Sequence, residues 1–216
     1  MLPGAWPSAL LLLWVAGVAR GEEPKDIIAR ARAVEAEQLK ALQGKSVELA
    51  SQGVLMEGRK RHEVATWRKI TYQSPPTLSL ERAQFDGQPV DEDTLREKMT
   101  GKKTRRMGAD LLLSVLAPFA DSDVSYLGPA EGGGARLYVV PHQKGKVLSA
   151  QVEVDAAGKK RVATPRLGGE DFKYADKIEF TMRFGEDGMP LDYRSFTSGH
   201  FLWWSKSLEM SGHRSP

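Results

Sequence analysis

The stretch KIEFTMRFGEDGMPLDYRSFTSGHFLWWSKSLE, residues 177–209, decides the fold. Ile178, Phe180, Met182 and Phe184 alternate with Glu179, Thr181 and Arg183. Successive side chains of a strand point to opposite sides, so this pattern gives one apolar and one wet face. Gly185-Glu186-Asp187-Gly188 turns the chain, and Pro190, tolerated at a strand start or an edge, precedes a returning strand that begins with Leu191, Tyr193 and Phe196 and ends at Ser198-Gly199. Phe201-Leu202-Trp203-Trp204 is expected to open a third strand. The stretch reads as an antiparallel meander with one greasy face, and what packs on that face determines what the protein is.

Working outward, 216 residues suffice for one domain with a sizeable core. Residues 1–21 contain an apolar run, Ala9 to Val18, flanked by small residues. This reads as a secretory signal peptide, with a cleavage site around Gly17-Val18-Ala19 or Ala19-Arg20-Gly21. The run is shorter than the roughly 20 apolar residues a bilayer span needs. No Lys or Arg precedes it, which leaves an uncleaved N-terminal anchor as the alternative. Residues 22–216 are read as a single β-rich domain without a stable membrane span. Removing residues 1–21 removes one base, Arg20, and no acid, so the formal charge falls from +3 to +2. A nearly balanced surface lacks the concentrated positive field of a nucleic-acid binder. With no Cys, disulfides, thiolate metal sites, Cys nucleophiles and lipidation at an N-terminal Cys are excluded. An exported chain without disulfides is held by its core, which suits a periplasmic domain.

From Pro24 to Leu42, Ile27, Ile28, Ala31, Val34, Leu39 and Leu42 recur at helical spacing, with Pro24 and Asp26 in the first turn and Gly44 as the stop. Ser46 to Met56 and Val64 to Tyr72 read as strands around a charged tip, Gly58-Arg59-Lys60-Arg61. Ser74-Pro75-Pro76 breaks the chain before a third strand that runs from Thr77 through Leu80 to Phe85 and ends in the turn signal Asp86-Gly87. Asp91 to Met99 reads as a short helix capped by Asp91, and Met107 to Phe119 as a second one ended at Pro118. Leu112, Leu116 and Phe119 share a face of that helix, and Leu111, Leu113 and Val115 widen it beyond a simple stripe. Beyond Gly132-Gly133-Gly134, Leu137 to Val140 and Leu148 to Val154 are strands, followed by the turn Asp155-Ala156-Ala157-Gly158.

Motifs that carry chemistry are missing: there is no Gly-x-Ser-x-Gly elbow, Walker loop, Gly-x-Gly-x-x-Gly or His-Glu-x-x-His. His62, His142, His200 and His213 are far apart, and none has a second His or a carboxylate at ligand spacing on its own element, so no metal site is expected. The pairs Asp91/Asp93 and Asp121/Asp123 read as capping and loop residues. Lys102-Lys103-Thr104-Arg105-Arg106 is the densest basic run; solvation accounts for it, and lipid head groups or an acidic partner are the functional alternative. Phe201-Leu202-Trp203-Trp204 places large apolar groups on both faces of one strand, which requires a helix, a ligand or a partner over the second face.

The order of helix, three-strand meander, central helices and a further meander of five or six strands, behind a signal peptide, resembles the LolA/LolB-like family of periplasmic proteins, which includes outer-membrane lipoprotein-sorting proteins. The helix Pro24 to Leu42 leading into Val47 to Met56, the turn Ser74-Pro75-Pro76, and the segment from Phe184-Gly185-Glu186 to Gly188-Met189-Pro190 carry the resemblance. It implies an α+β fold, an open half-barrel of curved antiparallel sheet closed by helices, whose concave face can hold acyl chains. No functional residue of the family is matched to a position here.

A curved sheet with one apolar face beneath broad apolar helices must either fill its concavity or host something apolar. Trp67, Leu112, Leu116, Phe119, Phe180, Met182, Trp203 and Trp204 are the candidate lining residues, because aromatics and Met make an adaptable wall. The expected function is a non-enzymatic periplasmic carrier or sensor of a lipid or lipoprotein acyl chain. The alternatives are an envelope interaction module with a filled core and, weakest, a secreted hydrolase, which clustering of His62 or His142 with carboxylates in one cleft would revive.

Overall fold

The computed structural model describes residues 22–100, 112, 115–131, 133–143, 145–168, 175–201 and 204–215. The expected signal peptide, the basic run at 102–106, Leu111, Leu113, Leu202 and Trp203 lie outside the described residues. In chain order the elements are α1 (Pro24–Leu42), β1 (Ser46–Glu57), β2 (Lys60–Thr71), β3 (Thr77–Phe85), β4 (Gln88–Pro89), α2 (Glu92–Thr100), β5 (Ser122–Pro129), β6 (Ala135–Pro141), β7 (Val147–Val154), β8 (Lys160–Leu167), β9 (Ala175–Phe184), β10 (Pro190–Phe201) and β11 (Trp204–Arg214). Leu112, Val115 and Leu116 are also helical, and the chain turns at 118–121.

All the strands join one antiparallel, open sheet of eleven, in the order β4-β3-β2-β1-β11-β10-β9-β8-β7-β6-β5. Two meanders, β1–β4 and β5–β11, are therefore fused along the pairing of the first strand with the last, from Leu49↔Arg214 to Glu57↔Lys206. The second meander has seven strands, where five or six are expected from the sequence. Phe201-Leu202-Trp203-Trp204 does not open a strand as one unit: Phe201 ends β10, Trp204 begins β11, and the two are partners in the register. The returning strand thus runs past Ser198-Gly199.

Local chemistry explains the punctuation. Pro24 occupies the first turn of α1, with Asp26 near its positive end and Lys40 near its negative end. The Asp91 carboxylate accepts the Thr94 amide at 2.6 Å and caps α2. Asp86 and Gly87, both at positive φ (52° and 76°), make the two-residue turn between β3 and β4.

Alternation assigns the faces. On the inner face one row of cross-strand neighbours runs without interruption through Tyr126, Leu137, Val152, Ala163, Met182, Tyr193, Gly212, Ser51, Thr66 and Ala83. All but Tyr126 are buried. The Tyr193 ring lies across Gly212, where a Cβ would sit 2.3 Å from its Cε1, and its hydroxyl reaches Ser51 Oγ at 2.7 Å. A missing side chain on β11 thereby lets an aromatic on β10 span to β1, covering the exposed glycine backbone. Phe180 stacks on the same ring with centroids 5.7 Å apart. Leu137, Val139, Val152, Val154, Met182, Leu49, Leu55 and Ile70, each nearly inaccessible, make the body of the core, at about 1.5–3 kcal/mol of transfer free energy per large side chain. The strands' outer face is polar, as expected of an antiparallel sheet covered on one side.

Candidate functional site

Between the inner face and its cover, the structure brings five of the eight candidate lining residues together. Leu112, Leu116 and Phe119 from the cover and Phe180 and Met182 from β9 belong to one contiguous apolar cluster, none more than 5% exposed. Trp67 is elsewhere. It lies opposite Ala50 and Arg82 in the register, on the outer face, and the Arg82 guanidinium sits 3.6 Å from its ring centroid. The flanking Thr66, not Trp67, points into the core. Trp203 lies outside the described residues, and of Trp204 only the backbone is described.

A buried ion pair, unforeseen in the sequence, pins the cover. Glu35 of α1 falls within the apolar stripe of its helix and is 5% exposed, and Lys160, the first residue of β8, is 3% exposed. Lys160 Nζ approaches Glu35 Oε1 at 3.4 Å, donates to the Leu116 carbonyl, and lies 4.2 Å from the Phe184 ring centroid. The other Glu35 oxygen accepts the Phe119 amide at 3.0 Å. One pair thus satisfies a carbonyl and an amide at the end of the helical segment and joins α1, β8 and the turn at 118–121. Burial drives the Glu35 carboxyl up and the Lys160 ammonium down, and their mutual attraction opposes both shifts. Arg32 adds a tie from α1 to β5, donating to the Ser122 carbonyl at 2.6 Å.

Two cavities adjoin the sheet on the other side. The larger, about 690 Å3, has seven outward residues in its wall. They fall into two rows: Thr181, Arg194 and Ser211, with Thr164 beyond, and Glu179, Phe196 and Glu209. Phe180, Ser195 and Met210, which lie between these rows along their strands, also line it, with Pro165 and Ile178 at its margin. A second cavity of about 280 Å3 shares Phe196 and extends along β10, β11 and β1 past Ser198, Ser207 and Met56. Together these two cavities form a polar trough on the outer face, where a row of apolar residues in the sequence gives no signal.

The histidines also find carboxylates, from other elements. His142 is bracketed by Asp121 and Asp123, each 3.0 Å from one ring nitrogen, and its pKa is raised chiefly by hydrogen bonding to Asp123 and then to Asp121. His62 Nδ1 lies 2.8 Å from Asp86, whose carboxyl is held below its usual value by that contact. Expecting no carboxylate partner from each histidine's own element overlooked these cross-strand pairs. Both groups lie outside the two cavities, His142 on the exposed surface and His62 half-buried, and among the described residues neither bonds a serine or threonine hydroxyl. Among the described residues no three His, Cys, Asp or Glu side chains are placed to hold a metal ion. No helix among them is long and apolar enough to cross a membrane.

No family model matches the chain, and no curated protein matches it. Solved structures similar to it include a DUF1329 family protein from Desulfovibrio piger, with 10% identity, a TM-score of 0.42 and coverage of 88% of this chain and 92% of the other. An outer-membrane lipoprotein-sorting protein domain from Vibrio parahaemolyticus is similar at 10% identity and a TM-score of 0.37, covering 85% of this chain and 89% of that one. A LolA superfamily protein from Nitrosomonas europaea is similar at 9% identity and a TM-score of 0.34, over 90% and 95% of the two chains. The solved structures to which this chain is similar thus include members of the family that its sequence resembles.

Proposed function

We propose that this chain is an exported, non-enzymatic binding protein of the cell envelope that carries or senses an acyl chain, of a lipid or lipoprotein, between its sheet and its helical cover. What supports the reading is the single apolar cluster in which Leu112, Leu116 and Phe119 of the cover meet Phe180 and Met182 of the sheet. Such a seam is chemically matched to an alkyl chain along its whole length and demands no charged group inside it. The seam is closely packed, so uptake of an acyl chain parts the cover from the sheet, with the Glu35–Lys160 pair as a polar tie between them. Lipid extraction and mass spectrometry of the protein purified from its native envelope tests this: a reproducible acyl species at about one per chain is expected, with a change in Trp fluorescence on adding fatty acids or lipopeptides. Lipid-free protein that is also silent to these additions overturns it.

A second reading, an interaction module with a filled core and no ligand, is favoured by the same close packing and by the edge strand β5, where Leu127 stands 47% exposed. An open strand edge offers unpaired backbone groups to a partner's extended segment. Under this reading a protein partner is captured by the purified domain while its lipid content stays at zero.

A further inference from the structure

We propose that the trough on the outer face of β8–β11 is a binding site for a zwitterionic head group, an oxyanion and a primary ammonium separated by a short linker, as in phosphoethanolamine. It lies on the opposite face from the acyl seam and does not rest on that reading.

The charges in the trough carry the argument. Arg194 stands between two hydroxyl residues of neighbouring strands, Thr181 and Ser211. A guanidinium flanked by hydroxyl donors is suited to a tetrahedral oxyanion. Two residues along the same strand, about 7 Å away, Phe196 stands between Glu179 and Glu209. The ammonium of Lys177 already rests 5.5 Å from the Phe196 ring centroid and 2.9 Å from Glu179, so that side of the ring demonstrably accommodates a primary ammonium. Glu209, on its other side, and Arg194 make no hydrogen bond or ion pair among the described residues. Diagonal neighbours on adjacent strands are about 7–8 Å apart, and these two opposite charges face the same cavity without meeting.

A ligand bearing charge of one sign only would satisfy one of them and repel the other, whereas a ligand bearing both signs satisfies both. A single ring with a carboxylate beside it favours an N–H-bearing ammonium over a quaternary one, which would call for several rings and no acceptor. Past Phe196 the trough runs into the smaller cavity beside Met56, leaving room for whatever the head group is attached to.

Calorimetric titration of the full chain with phosphoethanolamine, inorganic phosphate and ethanolamine tests the site. Phosphoethanolamine is expected to bind about tenfold or more tightly than either half alone. Arg194→Gln removes that gain and phosphate binding with it; Glu209→Gln removes the gain while phosphate binds as well as before or more tightly, because a repelling carboxylate is gone. Both side chains are exposed, and unchanged circular dichroism and melting temperature verify that the variants fold. Co-sedimentation with phosphatidylethanolamine/phosphatidylcholine vesicles against phosphatidylcholine alone separates the sources. Retention that depends on phosphatidylethanolamine and on Arg194 identifies a membrane lipid, and binding of the soluble compound alone identifies a free metabolite of the same chemistry. Equal affinity for phosphate and phosphoethanolamine, or a gain that survives Glu209→Gln, overturns the proposal.

Discussion

The two faces of the sheet are made by the same strands, one residue out of step, and they follow opposite rules. Tyr193, Gly212, Ser51 and Thr66 are consecutive neighbours of the inner row and all are buried; Arg194, Ser211, Gln52 and Ala65 are the outward row beside it, and the first three are exposed. On the inner face each polar group must be matched or removed. Ser51 is matched by Tyr193, whereas Thr66 Oγ1 and the Tyr72 hydroxyl are left without a partner among the described residues. On the outer face charges stand unmatched at little cost, because water screens them. A buried polar residue here therefore reports on architecture, and an outward one in a cavity is available for recognition.

The sharpest way to break this comparison is to truncate one residue on each face. Phe180→Ala is expected to lose about 3–5 kcal/mol in urea unfolding, and Thr181→Ala less than about 0.5 kcal/mol. Equal losses would mean that the faces have been misassigned.

Removing one charge of the inner pair comes next. Lys160→Met strands the Glu35 carboxylate in the core, at a cost of about 3 kcal/mol, and the double variant Glu35→Leu/Lys160→Met should recover most of it. If the double variant is the sum of the singles, the two groups are not acting as a pair. A smaller effect is expected at the aromatic bridge: Tyr193→Phe keeps the ring over Gly212 and leaves the Ser51 hydroxyl without its partner, costing about 1–2 kcal/mol. An unchanged midpoint would indicate that water serves Ser51 equally well.

The smallest effect belongs to the exposed surface. Hydrogen bonds to Asp123 and then Asp121 raise the His142 pKa above that of a free imidazole. A raised folded-state value means that the group's contribution to stability is complete below the unfolded-state pKa and disappears as pH rises through the folded-state one. Imidazole resonances followed by NMR should give a midpoint above 6.5 that falls in Asp123→Asn. A midpoint insensitive to that substitution would detach His142 from its bracket.

What was legible in the sequence was whatever repeats locally. The alternation of Ile178 to Phe184 gave β9, the spacing of Ile27 to Leu42 gave α1, and Asp91 and Asp86-Gly87 marked a cap and a turn through chemistry confined to three or four residues. Contacts between distant segments were not. Glu35 looked like one more charge on a charged helix, because only its distance from Lys160, 125 positions along the chain, makes it a core residue. His142 acquires Asp121 and Asp123 only through strand pairing. Trp67 is large and apolar, which makes it a candidate lining residue, but strand parity, fixed by the register with Ala50, turns it outward. The extra strand in the second meander is hidden for a related reason, since β5 is an edge whose inward positions are Ser122, Val124, Tyr126 and Gly128, only two of them large and apolar, and β8 opens on a lysine and contains Pro165.

The pairing of β1 with β11 also sets a schedule. Leu49 waits for Arg214 and Glu57 for Lys206, so the seam at the middle of the sheet joins two segments far apart along the chain. A chain emerging amino end first can form its hairpins in turn, but its central ladder must remain open until the last strand is free. Such distant pairing slows folding and keeps the two halves apart as separate meanders until then. The sheet becomes one body only when β11 has joined β1.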